Sequence, residues 1–111
     1  ANSPNATPDL GRKLENAVLL TLRRQGSEPT FAAAPHAWEC DFVTGERAIQ
    51  CCARLSPENR KRELGGLVAA ATLPGGPRRG RELIVITLDQ EDALMEQGFA
   101  IRVIPAWKWL D

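Results

Sequence analysis

The stretch Trp38-Glu39-Cys40-Asp41-Phe42-Val43, followed by Thr44-Gly45-Glu46-Arg47 and then Ala48-Ile49-Gln50-Cys51-Cys52-Ala53, decides how the chain folds. Both flanks place apolar and β-branched residues at alternating positions around a glycine-containing turn, the pattern of an antiparallel hairpin. With Gly45-Glu46 as a two-residue turn of type II′, the position numbers of facing residues sum to 91. Asp41 is then expected opposite Gln50, and Glu39 opposite Cys52. Because side chains alternate between faces, Glu39, Asp41, Gln50 and Cys52 are predicted on one side of the hairpin. A polar cluster at the middle of a sheet calls for a chemical reason.

Upstream, Leu10, Leu14, Val18 and Leu22 recur every four residues with Ala17 beside them, the spacing of a helix face. Asp9 is the expected N-cap, and Arg23-Arg24 place positive charge where the helix dipole favours it. Leu19 and Leu20 widen the apolar surface, which predicts a largely buried helix. Glu15 on this helix is expected to be partly enclosed, and an enclosed carboxylate requires a cation, a hydrogen-bond donor or a metal. A loop from Gly26 to Pro29 leads to a short strand, Thr30 to Ala34.

Downstream, Ser56-Pro57-Glu58 reads as a helix start, with Ser as N-cap and Pro at the first helical position. Leu64, Leu67, Val68 and Ala71 mark its buried side. Gly65-Gly66 costs about 1 kcal/mol per residue in mid-helix, which predicts a close approach to the sheet. Pro74-Gly75-Gly76-Pro77 ends the helix, and Arg78, Arg79 and Arg81 form a basic turn. Leu83-Ile84-Val85-Ile86-Thr87 is apolar without alternation, as in a parallel strand covered on both faces. Ala93-Leu94-Met95 reads as an edge strand and Phe99 to Ile104 as a final one. Trp107 and Trp109, in the closing Pro105-to-Leu110 turn, are expected to cover the core. The order predicts an α/β domain, a mixed central sheet flanked by one main helix on each face.

The chain has 111 residues, room for one domain with one modest core. Residues 1–8 read as a loose leading segment and 9–111 as the single domain; the start at Ala1-Asn2-Ser3-Pro4, without methionine, predicts a segment cut from a longer protein. Hydrophobic content of 43% and charged content of 25% are ordinary for a globular chain. Fourteen basic and fourteen acidic residues cancel, so any basic patch must be local. No apolar run is long enough for a membrane span. Three cysteines, two of them adjacent, argue against a disulfide framework and fit a reducing cytoplasm. Cys51 and Cys52 read as apolar fillers pointing to opposite faces. His36, the only histidine, stands in a loop without zinc-ligand spacing.

Leu14-Glu15-Asn16, Glu39-Cys40-Asp41-Phe42-Val43, Ile49-Gln50-Cys51-Cys52 and Ile104-Pro105-Ala106-Trp107-Lys108-Trp109-Leu110 together resemble the C-terminal domain of a large prokaryotic family of AAA-type ATPases. That domain is itself restriction-endonuclease-like, of the PD-(D/E)XK kind. The resemblance covers about residues 9 to 110 and implies an N-terminal ATPase domain as partner, with ATP bound only there. It also implies DNA as a candidate partner, and oligomer formation is open. In keeping with this, no phosphate-binding loop occurs: Gly75-Gly76-Pro77-Arg78-Arg79-Gly80 lacks the closing Lys-Ser/Thr.

Position by position, the resemblance matches Glu15 to the helix acid, Asp41 to the central metal-binding aspartate and Gln50 to the second acid. Cys52 falls where the lysine usually stands. Mg²⁺ is the metal such a site would take, since it prefers carboxylates and water. Glutamine at the second acid removes a negative charge, and cysteine cannot supply the lysine's positive one. The expectation is therefore a degenerate metal site at Glu15, Asp41 and Gln50, in a domain that engages nucleic acid or a partner without cutting. An active Mg²⁺-dependent nuclease, with Lys61 or an arginine from the second helix replacing the lysine, and a docking or oligomerisation module are the alternatives. Arg60, Lys61, Arg78 and Arg79 are the expected phosphate contacts.

Overall fold

The computed structural model describes residues 8–110. Helix α1 (Pro8–Arg24) is followed by β1 (Thr30–Ala34), β2 (Trp38–Val43), β3 (Arg47–Cys51), α2 (Arg60–Ala71), β4 (Glu82–Thr87), β5 (Asp92–Glu96), β6 (Phe99–Pro105) and α3 (Ala106–Trp109). The six strands form one sheet in the order β1-β2-β3-β4-β6-β5. Three consecutive strands make an antiparallel meander, then α2 crosses over to bring β4 parallel to β3. β6 is parallel to β4 and antiparallel to the edge strand β5. The mixed sheet with one main helix on each face is as the sequence predicts, with the short α3 joining the face of α1.

Alternation along the central strands builds two cores. Ala48, Leu83, Val85, Ile101 and Val103 pack with Leu64, Leu67 and Ala70 of α2. Ile49, Cys51, Ile84, Ile86 and Ile104 pack with Leu14, Val18 and Leu22 of α1. β4 feeds both, so it is buried along most of its length, as its unbroken apolar run requires.

Several local expectations are corrected. Residues 1–7 and 111 lie outside the described residues, but Pro8 is already helical, so Asp9 stands in the first turn and is not the cap. Only one stripe of α1 is buried; Leu10 and Leu20 are exposed, so the helix is amphipathic and not enclosed. α2 begins at Arg60, not at Ser56. The Asn59 side chain accepts from the Ser56 amide and donates to the Arg54 carbonyl, which holds residues 56–59 as a separate turn. Trp109 packs on the α1-side core, whereas Trp107 is 69% exposed, because two positions apart on a helix face different ways.

Gly66 explains half of the glycine pair. A Cβ there would lie 1.8 Å from the Glu39 carbonyl oxygen and 2.4 Å from the Gln50 amide nitrogen, so α2 sits directly on β2. Gly65 faces open space.

Arg81 is the largest departure from the reading of a basic turn. It is 7% exposed, and its guanidinium donates to the carbonyls of Thr44, Ala70, Leu73 and Pro74. Ala70 lies in the last turn of α2 and Leu73 just beyond it, where helix carbonyls lack internal partners, so Arg81 acts as their cap.

Candidate functional site

The hairpin register holds near the turn. Phe42 pairs with Ile49 and Val43 with Ala48, the pairing that a sum of 91 requires. Gly45 does not have the positive φ of a type II′ turn. The Thr44 hydroxyl instead accepts from the amides of Glu46 and Arg47 and shapes the loop.

Beyond Phe42 the register changes. Along β1, Thr30 pairs with Val43 but Ala32 pairs with Cys40, so β2 carries one extra residue between them. Cys40 and Val43, three apart, both belong to the α2-side core, which strict alternation would forbid. Asp41-Phe42 is therefore a β-bulge, and the backbone ladder between β2 and β3 stops beside it. Side chains take over where the ladder ends. The Asp41 amide donates to Gln50 Oε1 (2.9 Å), and Gln50 Nε2 donates to the carbonyls of Glu39 (2.7 Å) and Glu63 (3.1 Å). The Cys51 amide donates to Asp41 Oδ2 (2.8 Å).

A cleft of about 680 Å³ opens where the two strands part. Glu15 of α1, Glu39 and Asp41 of β2, Cys51 and Cys52 at the end of β3, and Arg62 and Glu63 of α2 line it, with Arg54 and His36 at its margins. Glu15 and Asp41 are thus brought together as expected. Gln50 is not: it is 3% exposed, lies on the α2 side, and both ends of its amide are held by backbone. The expected common face for Asp41 and Gln50 fails because the bulge turns one of them over.

These residues do not fit a resident Mg²⁺. Such a site needs several oxygen ligands converging on one point, yet Gln50 points away and Asp41 Oδ2 is engaged by an amide. Among the described residues, no three His, Cys, Asp or Glu side chains converge closely enough to hold a metal ion.

The cleft favours the protonated forms of Asp41 and Glu63. Burial pushes the Asp41 carboxyl up to about 7 from an ordinary 3.8; the Cys51 amide opposes this, while Glu15, Glu63 and Glu39 add to it. Burial also raises Glu63, against the pull of Arg62, which lies 3.1 Å away. Cys52 is pushed up to about 12, again by burial first and then by Glu63 and Asp41, so it is a neutral thiol and no substitute for a cation. Across the window from about 4 to about 7 the unfolded chain has released the Asp41 proton while the folded chain keeps it. This contribution to stability is therefore complete below that window and lost as pH rises through it. Urea denaturation is expected to show a loss of order 2 kcal/mol from pH 5 to pH 8, reduced in Asp41→Asn, which keeps the acceptor but does not titrate.

Sequence reasoning missed Glu63. The signal was present: Glu63, Leu67 and Ala70 fall on one helical stripe, so Glu63 shares the buried side of α2. Lys61 does not line the cleft, whereas Arg62 does. The four expected phosphate contacts do not form one patch. Arg60 and Lys61 start α2, and Arg78 and Arg79 follow its end, a helix length of about 18 Å apart.

No protein-family model and no solved structure matches the chain. It is 32% identical to an uncharacterized protein of Methanocaldococcus jannaschii over 109 aligned positions, which cover 89% of this chain and 24% of that protein. The chain thus spans about a quarter of the length of the relative it matches.

Proposed function

We propose that this is a restriction-endonuclease-like domain that has lost metal-dependent cleavage and engages nucleic acid on behalf of a larger ATPase. The observation that carries the reading is the state of Gln50. The side chain standing where the second acid is expected serves as a backbone clamp, out of reach of the cleft. Cys52, where the lysine is expected, is a neutral thiol beside carboxylates. Neither of the two groups that would complete a phosphodiesterase site is available to it.

The antiparallel meander followed by a helical crossover to a parallel strand supports the fold assignment, with Asp41 at the central hairpin. The ATPase link rests on the sequence resemblance, and ATP chemistry belongs to that partner domain.

Incubation of single- and double-stranded DNA with the domain in Mg²⁺ or Mn²⁺ is expected to give no cleavage. Calorimetric titration is expected to show no metal uptake tighter than about millimolar, and no change in Asp41→Asn. Cleavage abolished by that substitution would instead establish an active nuclease. Subunit association without any affinity for DNA would favour a docking module.

A further inference from the structure

The charges of this chain cancel in number but not in space. The cleft at the far end of β3 is lined by Glu15, Glu39, Asp41 and Glu63 against Arg54 and Arg62. At the opposite end, where the parallel strands begin, two adjoining hollows of about 580 and 340 Å³ share the wall Arg47, Glu82 and Arg102. Arg79 and Glu46 line one hollow, and Lys108, which is paired with Glu91, lines the other. β3 has five residues from Arg47 to Cys51, so the two ends lie about 13 Å apart along the sheet.

Arg47 and Arg102 both pair with the single carboxylate of Glu82, at 3.9 and 3.4 Å, and all three side chains are a third or more exposed. A ladder built for stability would match its charges, and exposed pairs of this kind contribute little in any case. Two guanidiniums on one carboxylate leave a positive charge uncompensated. Arg79 forms no ion pair among the described residues. Arg24 adjoins Gln25, whose side chain accepts from Arg47, so the end of α1 extends the same positive edge.

We infer that this edge, formed by Arg47, Arg79 and Arg102 with Arg24 beside them, binds the phosphate backbone of duplex nucleic acid. The inference rests on the reading that the domain engages nucleic acid, and it places the contact away from the acidic cleft. The carboxyls of Glu15, Glu39, Asp41 and Glu63 outnumber Arg54 and Arg62 around the cleft, so phosphates gain more at the other end. Arginine suits the task better than lysine because its planar fork meets phosphate oxygens in pairs. Arg47 and Arg102 stand two strand spacings apart and two residues out of level, about 12 Å in all, so they reach separate phosphates of a charged backbone.

Fluorescence anisotropy with a labelled 20-base-pair duplex of mixed sequence, across about 50–200 mM salt, tests this. The double variant Arg47→Ala/Arg102→Ala is expected to bind about tenfold or more weakly, with a salt slope shallower by about 2. Arg60→Ala/Lys61→Ala, at the far end of α2, is expected to stay within about twofold of the parent. Glu82→Gln provides a test by gain: removing the shared carboxylate is expected to tighten binding at least about threefold, a result no unfolded variant could give. Loss of binding in the Arg60/Lys61 variant alone, or no gain in Glu82→Gln, would overturn the inference while leaving nucleic-acid engagement intact. Absence of binding even at low salt would overturn both. Equal competition by polyglutamate would mark the edge as a site for an acidic protein surface and overturn it as well.

Discussion

Arg81→Ala is expected to lower the unfolding free energy by about 4 kcal/mol, close to the whole stability of many domains of this size. Four carbonyls lose a charged donor at once, those of Thr44, Ala70, Leu73 and Pro74. Leaving a buried acceptor unsatisfied costs about 1–3 kcal/mol, and water entering the space offsets part of that. The melting temperature should fall by roughly 15 °C or more. Arg81→Lys keeps the charge, but a single ammonium cannot reach four carbonyls spread over the end of α2 and two loops, so about half the loss is expected to remain. Urea denaturation of both variants checks this. A loss below about 1 kcal/mol in Arg81→Ala would mean that the loop after α2 holds itself together without the guanidinium.

Gln50→Glu, the substitution that would restore an acid to the expected position, is expected to destabilise the domain by about 3 kcal/mol and to give no cleavage. The new carboxylate would retain an acceptor for the Asp41 amide but would face the carbonyls of Glu39 and Glu63, where the native amide donates. Gly66 leaves no room for the side chain to withdraw, because α2 already rests on the Glu39 carbonyl and the Gln50 amide. Protonation would restore one donor. The penalty should therefore shrink as pH falls, and urea melts at pH 5 and pH 8 should separate the parent and variant less at the lower value. Metal-dependent DNA cleavage appearing in Gln50→Glu would show that Gln50 reaches the cleft after all.

How much of this was legible in the chain differs from residue to residue. The hairpin and its register near the turn follow from Thr44-Gly45-Glu46-Arg47 and the flanking alternation, since turn length fixes which residues face each other. The crossover to a doubly covered strand follows from Leu83 to Thr87 in the same way. The bulge was not legible, because Cys40-Asp41-Phe42-Val43 alternates well enough to pass for a regular strand. Its mark in the structure is that Cys40 and Val43, three apart, share the α2-side core. Arg81 and Arg79 are also indistinguishable by charge, although one is a buried cap and the other lines the surface. The glycines around Arg81 were the sign that something bulky fills that loop: a Cβ on Gly76 would come within 3.0 Å of its guanidinium.

The bulge separates the identity of a residue from its address. Without the extra residue, counting back by twos from Val43 would put Asp41 on the α2 side with Gln50. Adding one hands the next side chain to the other face. Asp41 owes its position in the cleft to chain length as much as to being an aspartate, whereas Gln50 faces α2 through the regular alternation of β3, between Ile49 and Cys51 of the other core. A comparison of related chains that counts matched letters would record two neighbouring polar positions in this hairpin. One that counts spacing would record a hinge between two different occupations, one structural and one facing solvent.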